Sequence, residues 1–176
     1  TAYVHCQFDG VDFVVKETAM IILPSLDETI VSKMSMEEIC EALGAVTVPR
    51  KEHRYGDRRG EFIGEVDTAG FKVVSNISYR NSFLPIIQGS VRAEGSRSVI
   101  TIKMRMHWFV SVFSAIWLGF VTLFMLAGVL MLVVESDFSL LCGSGGMMLF
   151  GQLLIRGGFY IPAKKALKRM KELFGE

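Results

Sequence analysis

Apolar residues along this chain follow one period, then another, and each change marks a structural boundary. Residues 28–34 alternate as a strand does. Ser35-Met36-Glu37-Glu38 then forms a capping box, in which the Ser35 hydroxyl accepts from the Glu38 amide and the Glu38 carboxylate returns to the Ser35 amide. Behind it Met36, Ile39, Cys40 and Leu43 share one face of a short helix that Gly44 should stop, and this face is expected to cover a sheet. From Glu61 the period becomes two, with strands expected at 61–67, 71–79, 83–93 and 98–106. Turns should fall at Thr68-Ala69-Gly70, Arg80-Asn81-Ser82 and Glu94-Gly95-Ser96, while Pro85 argues for an edge or bulge and Gly89 for a bend. Residues 11–15 read as a further strand with no evident neighbour.

At Trp108 the alternation stops, and 27 residues pass without a charge before Glu135. A bilayer core about 30 Å thick needs roughly 20 apolar helical residues to cross, so this run spans with room for tilt. A second run, 138–155, is near the lower limit and lengthens if the helix continues to Ile161, with Arg156 extending its guanidinium to the headgroups. Past Pro162 the helical period returns: Ala163, Leu167, Met170 and Phe174 face one way and lysines the other. This tail should lie on a membrane surface or pack on the domain.

The expected fold is therefore α+β, a small antiparallel sheet with one covering helix, followed by a two-helix transmembrane hairpin. Its expected parts are an N-terminal extension at 1–19, the α+β domain at 20–106, spans at 107–134 and 138–161, and a basic amphipathic tail at 162–176.

Charge adds an orientation. The segment 1–108 holds 13 Lys and Arg against 14 Asp and Glu, 109–163 one against two, and 164–176 five against two. Lys103, Arg105 and His107 precede the first span, Lys164, Lys165 and Lys168 follow the second, and the turn between is the acidic Glu135-Ser136-Asp137. The positive-inside rule places both termini in the cytoplasm. No basic stretch followed by a long apolar core opens the chain, so the first span is expected to serve as its own insertion signal. A near-neutral domain gives no reason to expect nucleic acid, whereas the basic tail suits anionic lipid. Cys6, Cys40 and Cys142 have no CxxC spacing and read as free thiols, and neither they nor His5, His53 and His107 suggest a metal site. Asn76-Ile77-Ser78 matches a glycosylation acceptor that a cytoplasmic domain would not present to that machinery.

The stretch 61–120 holds SYRNSFLPIIQGSV and then ITIKMRMHWFVSVFSAIWLGF. It resembles a group of small bacterial membrane proteins of unknown function, in which a YRNSF-x-P turn and a K-M-R-x-H-x-F-V segment precede two helices. The resemblance runs from about Met20 to the C-terminus. It implies bacterial origin and a shared architecture, with no activity attached.

Several residues could carry function. Tyr79, Arg80 and Asn81 sit at a strand turn where structural turn chemistry competes with binding a ligand or partner. Lys103, Arg105 and His107 alternate with apolar residues on one strand face and are expected at the membrane interface with Arg156, Lys164, Lys165 and Lys168; the sharper alternative is a proton- or lipid-responsive joint. The loop 50–60 is rich in Arg and Lys and reads as solvated, without the glycine pattern of a nucleotide site. In the spans, Ser111, Ala115 and Gly119 recur every four residues and Ser144, Gly151 and Gly158 every seven, faces suited to close helix packing in a hairpin or an oligomer. Gln152 needs a partner, expected across the helix interface. Neither HExxH nor GxSxG occurs, and no nucleophile–base pair stands out. No enzyme and no cofactor is expected. Apart from the lipid bilayer, the expected partner is a protein or further copies of the chain. The leading expectation is a membrane-anchored, non-enzymatic binding or sensing module. The alternative is a membrane-perturbing effector of bacterial stress or phage defence that oligomerises through its hairpin.

Overall fold

The structure, a computed structural model, describes residues 23–52, 59–68, 70–95 and 97–175. The 1–19 extension, the strand at 11–15, Cys6, His5, His53 and most of the basic loop lie outside the described residues. Within them the order is β1 (Ser25–Ser32), α1 (Met36–Ala45), β2 (Thr47–Pro49), β3 (Phe62–Asp67), β4 (Gly70–Ser75), β5 (Ile86–Glu94), β6 (Arg97–Arg105), α2 (Trp108–Glu135) and α3 (Ser139–Leu173). The fold is α+β, with two long apolar helices forming a C-terminal hairpin.

The sheet has six strands in the order β1-β6-β5-β4-β3-β2. The meander β3 to β6 forms as its alternation predicts, and β1 adds to it antiparallel to β6, with Ile30 opposite Ile100. The short β2 pairs parallel to β3 and turns an otherwise antiparallel sheet into a mixed one. Two strands are shorter than their pattern. β4 ends at Ser75, and β5 begins at Ile86, just after Pro85, which has no amide to give a ladder. Gly89 makes no bend; it lies within β5, where a Cβ would overlap the Phe71 ring from the neighbouring strand.

The capping box forms in full, with the Ser35 amide donating to Glu38 Oε2 at 2.7 Å and the Glu38 amide to Ser35 Oγ at 3.2 Å. α1 lays Ile39 and Leu43 on the sheet, both fully buried. Most of the remaining cover comes from the C-terminal part of α3, whose Ala163, Ala166, Met170 and Phe174 are buried with Ile87, Ile100, Ile102 and Met104 of the sheet. The 162–176 segment is thus no separate surface helix. α3 runs from Ser139 to Leu173 without interruption, straight through Pro162. Its end is fastened by Ser32 Oγ, which donates to the Phe174 carbonyl at 2.6 Å, and by Lys171 Nζ on Glu28 Oε1 at 2.9 Å.

At 1.5 Å per residue, about 40 Å of α2 is apolar helix, more than a bilayer core requires. Only 17% of its most apolar window is buried, and Phe113, Leu123 and Val133 are mostly exposed, which distinguishes it from the core helix of a water-soluble fold. Both helices are long and apolar enough to cross a membrane. The acidic turn forms where expected: Ser136 adopts a left-handed conformation with φ 56°, and Asp137 Oδ1 accepts from the Ser139 amide at 2.8 Å.

The hairpin packs through Ser114, Leu118, Val121 and Gly128 of α2 against Ser144, Gly151 and Ile155 of α3. The Trp117 ring lies over Gly151, and a Cβ at Gly128 would stand 2.8 Å from the Leu141 backbone. On α3 two residues of the expected small-residue face, Ser144 and Gly151, are buried in the hairpin. On α2 the expected face is not used: Ala115 and Gly119 are exposed, Ser111 is half-buried, and nothing stands near Gly119. The reason is complementarity. A flat face on α3 receives the large Trp117 and Leu118, which fill more space than a second flat face would.

Candidate functional site at the helix–sheet joint

The loop 76–85, between β4 and β5, grips α3 at the end of its apolar part. Pro162 has no amide hydrogen, so the carbonyl of Gly158, four residues back, loses its helical donor. Asn81 supplies one: its Nδ2 donates to Gly158 O at 2.7 Å, while its Oδ1 accepts from the Phe83 amide at 3.0 Å and shapes the loop. Phe83 presses on the space that a Cβ at Gly158 would occupy. The small residue at 158 therefore serves the domain, whereas Gly151 and Ser144 serve the hairpin. Asn81 is both turn residue and helix clamp, and Pro162 within an otherwise helical pattern is the one sequence signal that an outside donor was needed.

Beside this clamp lies a cleft of about 670 Å³ between α3 and the sheet end where β3 starts and β4 stops. Its walls include Glu61 and Phe62 of the β3 end, Asn76, Ile77 and Tyr79 of the loop, and Ile161, Lys165, Lys168, Arg169 and Glu172 of α3. Arg169 engages both carboxylates. Its Nε and second terminal nitrogen meet the two Glu61 oxygens at 2.6 and 2.7 Å, and Nη1 meets Glu172 at 3.3 Å. Arg169 holds the Glu61 carboxyl below its ordinary value, and the carboxylates in turn push the guanidinium up. Asn76 Nδ2 donates to the carbonyls of Arg59 and Gly60 at 3.3 and 3.1 Å. Lys165, Lys168 and the half-exposed Tyr79 have no hydrogen-bond or ion-pair partner among the described residues. Lys164 is exposed and does not line the cleft. Arg80 is exposed on the loop and is not among the cleft's walls.

The opposite face of the sheet holds the other basic group. Lys103 and Arg105 lie on one face of β6, with Ile102 and Met104 buried behind them, whereas His107 lies past the end of the strand. Arg105 is committed to Asp27 through two hydrogen bonds of 2.6 and 2.7 Å, which lower the Asp27 pKa. His107 caps α2, its Nδ1 accepting from the Phe109 amide at 3.3 Å, a role that requires an unprotonated nitrogen there. Lys103 stays exposed. Structure thus separates the expected interface residues into an ion pair, a helix cap and exposed lysines. Arg156 and Gln152 correct a further expectation: Gln152 finds its partner on its own helix, where Oε1 accepts from Arg156 Nε at 3.2 Å, and not across the hairpin.

Cys40 and Cys142 are free thiols, Cys40 donating to the Asp67 carbonyl at 3.1 Å. Burial, then Asp67 and Glu37, push the Cys40 thiol up, away from the reactive thiolate. Among the described residues no group of three His, Cys, Asp or Glu is placed to hold a metal ion.

No family model, curated protein or solved structure matches this chain. The reading of function therefore rests on the joint and its cleft.

Proposed function

We propose that this chain is a membrane-anchored, non-enzymatic binding or sensing module, with its α+β domain and both ends of the chain at the cytoplasmic face of a bacterial inner membrane. The observation that carries the reading is the clamp of Asn81 on Gly158, because it makes the cleft-lining loop and the apolar helix one mechanical unit. Whatever seats against Tyr79 and Lys165 also bears on the helix end. The cover of the sheet by α3 points the same way: the domain's core includes the continuation of a span, so the domain is held at one attitude to the bilayer rather than on a tether. The basic residues at the domain end of the hairpin and the acidic turn at the other support the orientation.

Labelling with a membrane-impermeant thiol reagent tests it in a Cys6→Ser/Cys40→Ser/Cys142→Ser background. Ser136→Cys should react in intact spheroplasts and Lys164→Cys only after permeabilisation; the reverse pattern rejects the orientation. A ligand screen read by melting temperature in nanodiscs, together with partner capture from native membranes, tests the binding role, and failure of both sinks it.

A second reading is favoured by the α2 face of Ser111, Ala115 and Gly119, which the hairpin leaves unpacked. A membrane-perturbing effector of bacterial stress or phage defence would assemble through that face. Liposome leakage that appears with oligomer formation and is lost in Gly119→Leu supports this reading, and background leakage in every oligomeric state rejects it.

A further inference from the structure

The face of α3 that enters the cleft has a polarity order of its own. Met147, Leu154 and Ile161 recur every seven residues and are 54%, 49% and 71% exposed. Seven residues on stands Lys168, with Lys165 one turn before it. A single helix stripe thus passes from aliphatic to cationic at Pro162, and the cationic part lines the cleft. An amphiphile lying along this stripe would meet apolar side chains first and ammonium groups second, as a phospholipid does from chain to headgroup.

Charge and hydrogen bonding narrow the occupant. The cleft holds the cations of Lys165, Lys168 and Arg169 against the carboxylates of Glu61 and Glu172, one positive charge in excess. Both carboxylates are spent on Arg169, so what faces an incoming group is two ammonium donors and the Tyr79 hydroxyl. One phosphodiester, with a single negative charge and acceptor oxygens only, would bring these five groups to neutrality and could accept from both ammonium groups and the Tyr79 hydroxyl. A zwitterionic headgroup would leave the excess. The volume of about 670 Å³ accommodates a phosphate with a small polar substituent.

From this we infer that the cleft is a specific site for the phosphodiester headgroup of an anionic glycerophospholipid, its phosphate between Lys165 and Lys168 and an acyl chain along Ile161 and Leu154. The site deepens the membrane-anchored reading and rests on it. Through Asn81 and Gly158, headgroup occupancy stiffens the joint between sheet and helix.

The test uses the full chain in detergent, titrated with dihexanoyl phosphatidylglycerol, dihexanoyl phosphatidylcholine and inorganic phosphate, and read by melting temperature and native mass spectrometry. Phosphatidylglycerol should saturate at one per chain and raise the melting temperature, with phosphatidylcholine and phosphate much weaker. At about fivefold per lysine near an anionic group, Lys165→Gln/Lys168→Gln should bind about thirtyfold more weakly. Lys164→Gln should bind as the parent does. Should the double variant fail to fold, Tyr79→Phe at an exposed position should lower affinity by about two- to fivefold. Equal binding of the two lipids, or parental affinity in both the double variant and Tyr79→Phe, overturns the inference. Inorganic phosphate binding as tightly as the lipid overturns the lipid as source. Alkaline carbonate extraction separates the two levels: a chain released from membranes refutes the anchoring, whereas a chain that is retained but indifferent to headgroup refutes the cleft alone.

Discussion

Residues 139–161 and 162–173 of α3 present one continuous inward stripe to two different partners. In the first part Ser144, Gly151, Ile155 and Phe159 face inward, and in the second Ala163, Ala166 and Met170 do, one or two turns from the last in each case. The outward faces differ completely: Leu149, Phe150 and Leu153 in the first part are mostly exposed, and Lys164 and Lys168 replace them in the second. The same helix therefore carries an outer surface suited to lipid along one stretch and to water along the other, while its inner face stays apolar throughout. Helix packing follows the inner face, and the environment follows the outer one.

The largest effect expected from this contrast is on stability. Met170→Ala opens a cavity in the domain core and should cost about 2–5 kcal/mol, whereas Leu153→Ala, on the exposed apolar face, should stay within about 0.5 kcal/mol. Equilibrium unfolding in nanodiscs measures both, and similar losses at the two positions would remove the contrast between the halves. Next comes the junction between them. Asn81→Ala leaves the Gly158 carbonyl without its donor, at a cost of about 1–3 kcal/mol. Pro162→Ala restores a backbone amide there, so Asn81→Ala should cost much less in that background, and strictly additive losses in the double-mutant cycle would disprove the substitution of one donor by the other.

The smallest effect is electrostatic. Asp27 and Glu61 are both held below their ordinary values, by Arg105 and Arg169 respectively. Carboxylates with a lowered folded-state pKa stabilise the fold above the unfolded value, and the contribution is lost as the pH falls through the folded one. Stability should therefore fall below about pH 4–5, and Glu61→Gln with Asp27→Asn should flatten that acid limb. Both pairs are partly exposed, so screening keeps the change small. Acid titrations monitored by circular dichroism that coincide for parent and variant would show that these pairs add nothing.

Much of this architecture was legible one residue at a time. Ser35 and Glu38 announce α1 because a capping box is complete within four residues, and the alternation from Phe62 to Met104 announces the meander because strand period needs only near neighbours. The apolar runs announce the spans for the same reason. The candidate site was legible only in fragments. Tyr79 and Asn81 stood out as a turn, and Lys165 and Lys168 as interface lysines, but nothing local joined them. Pro162 reads locally as a boundary between span and tail, since a proline removes a helical hydrogen bond. The helix continues there because Asn81, distant in sequence, replaces it.

What the chain determined alone is what depends on short-range periodicity, capping and transfer of apolar surface: most of the elements, though not β2 or the passage of α3 through Pro162, the α+β class and two helices fit to cross a membrane. Tertiary structure decided what depends on which surfaces meet. It rotated α2 so that Trp117 and Leu118, not Ser111, Ala115 and Gly119, fill the flat face of α3. It also brought Arg169 onto Glu61 and Asn81 onto Gly158, contacts whose partners lie 108 and 77 residues apart. Pairings over such separations are set by the packing of a whole core, to which no local pattern in either segment refers.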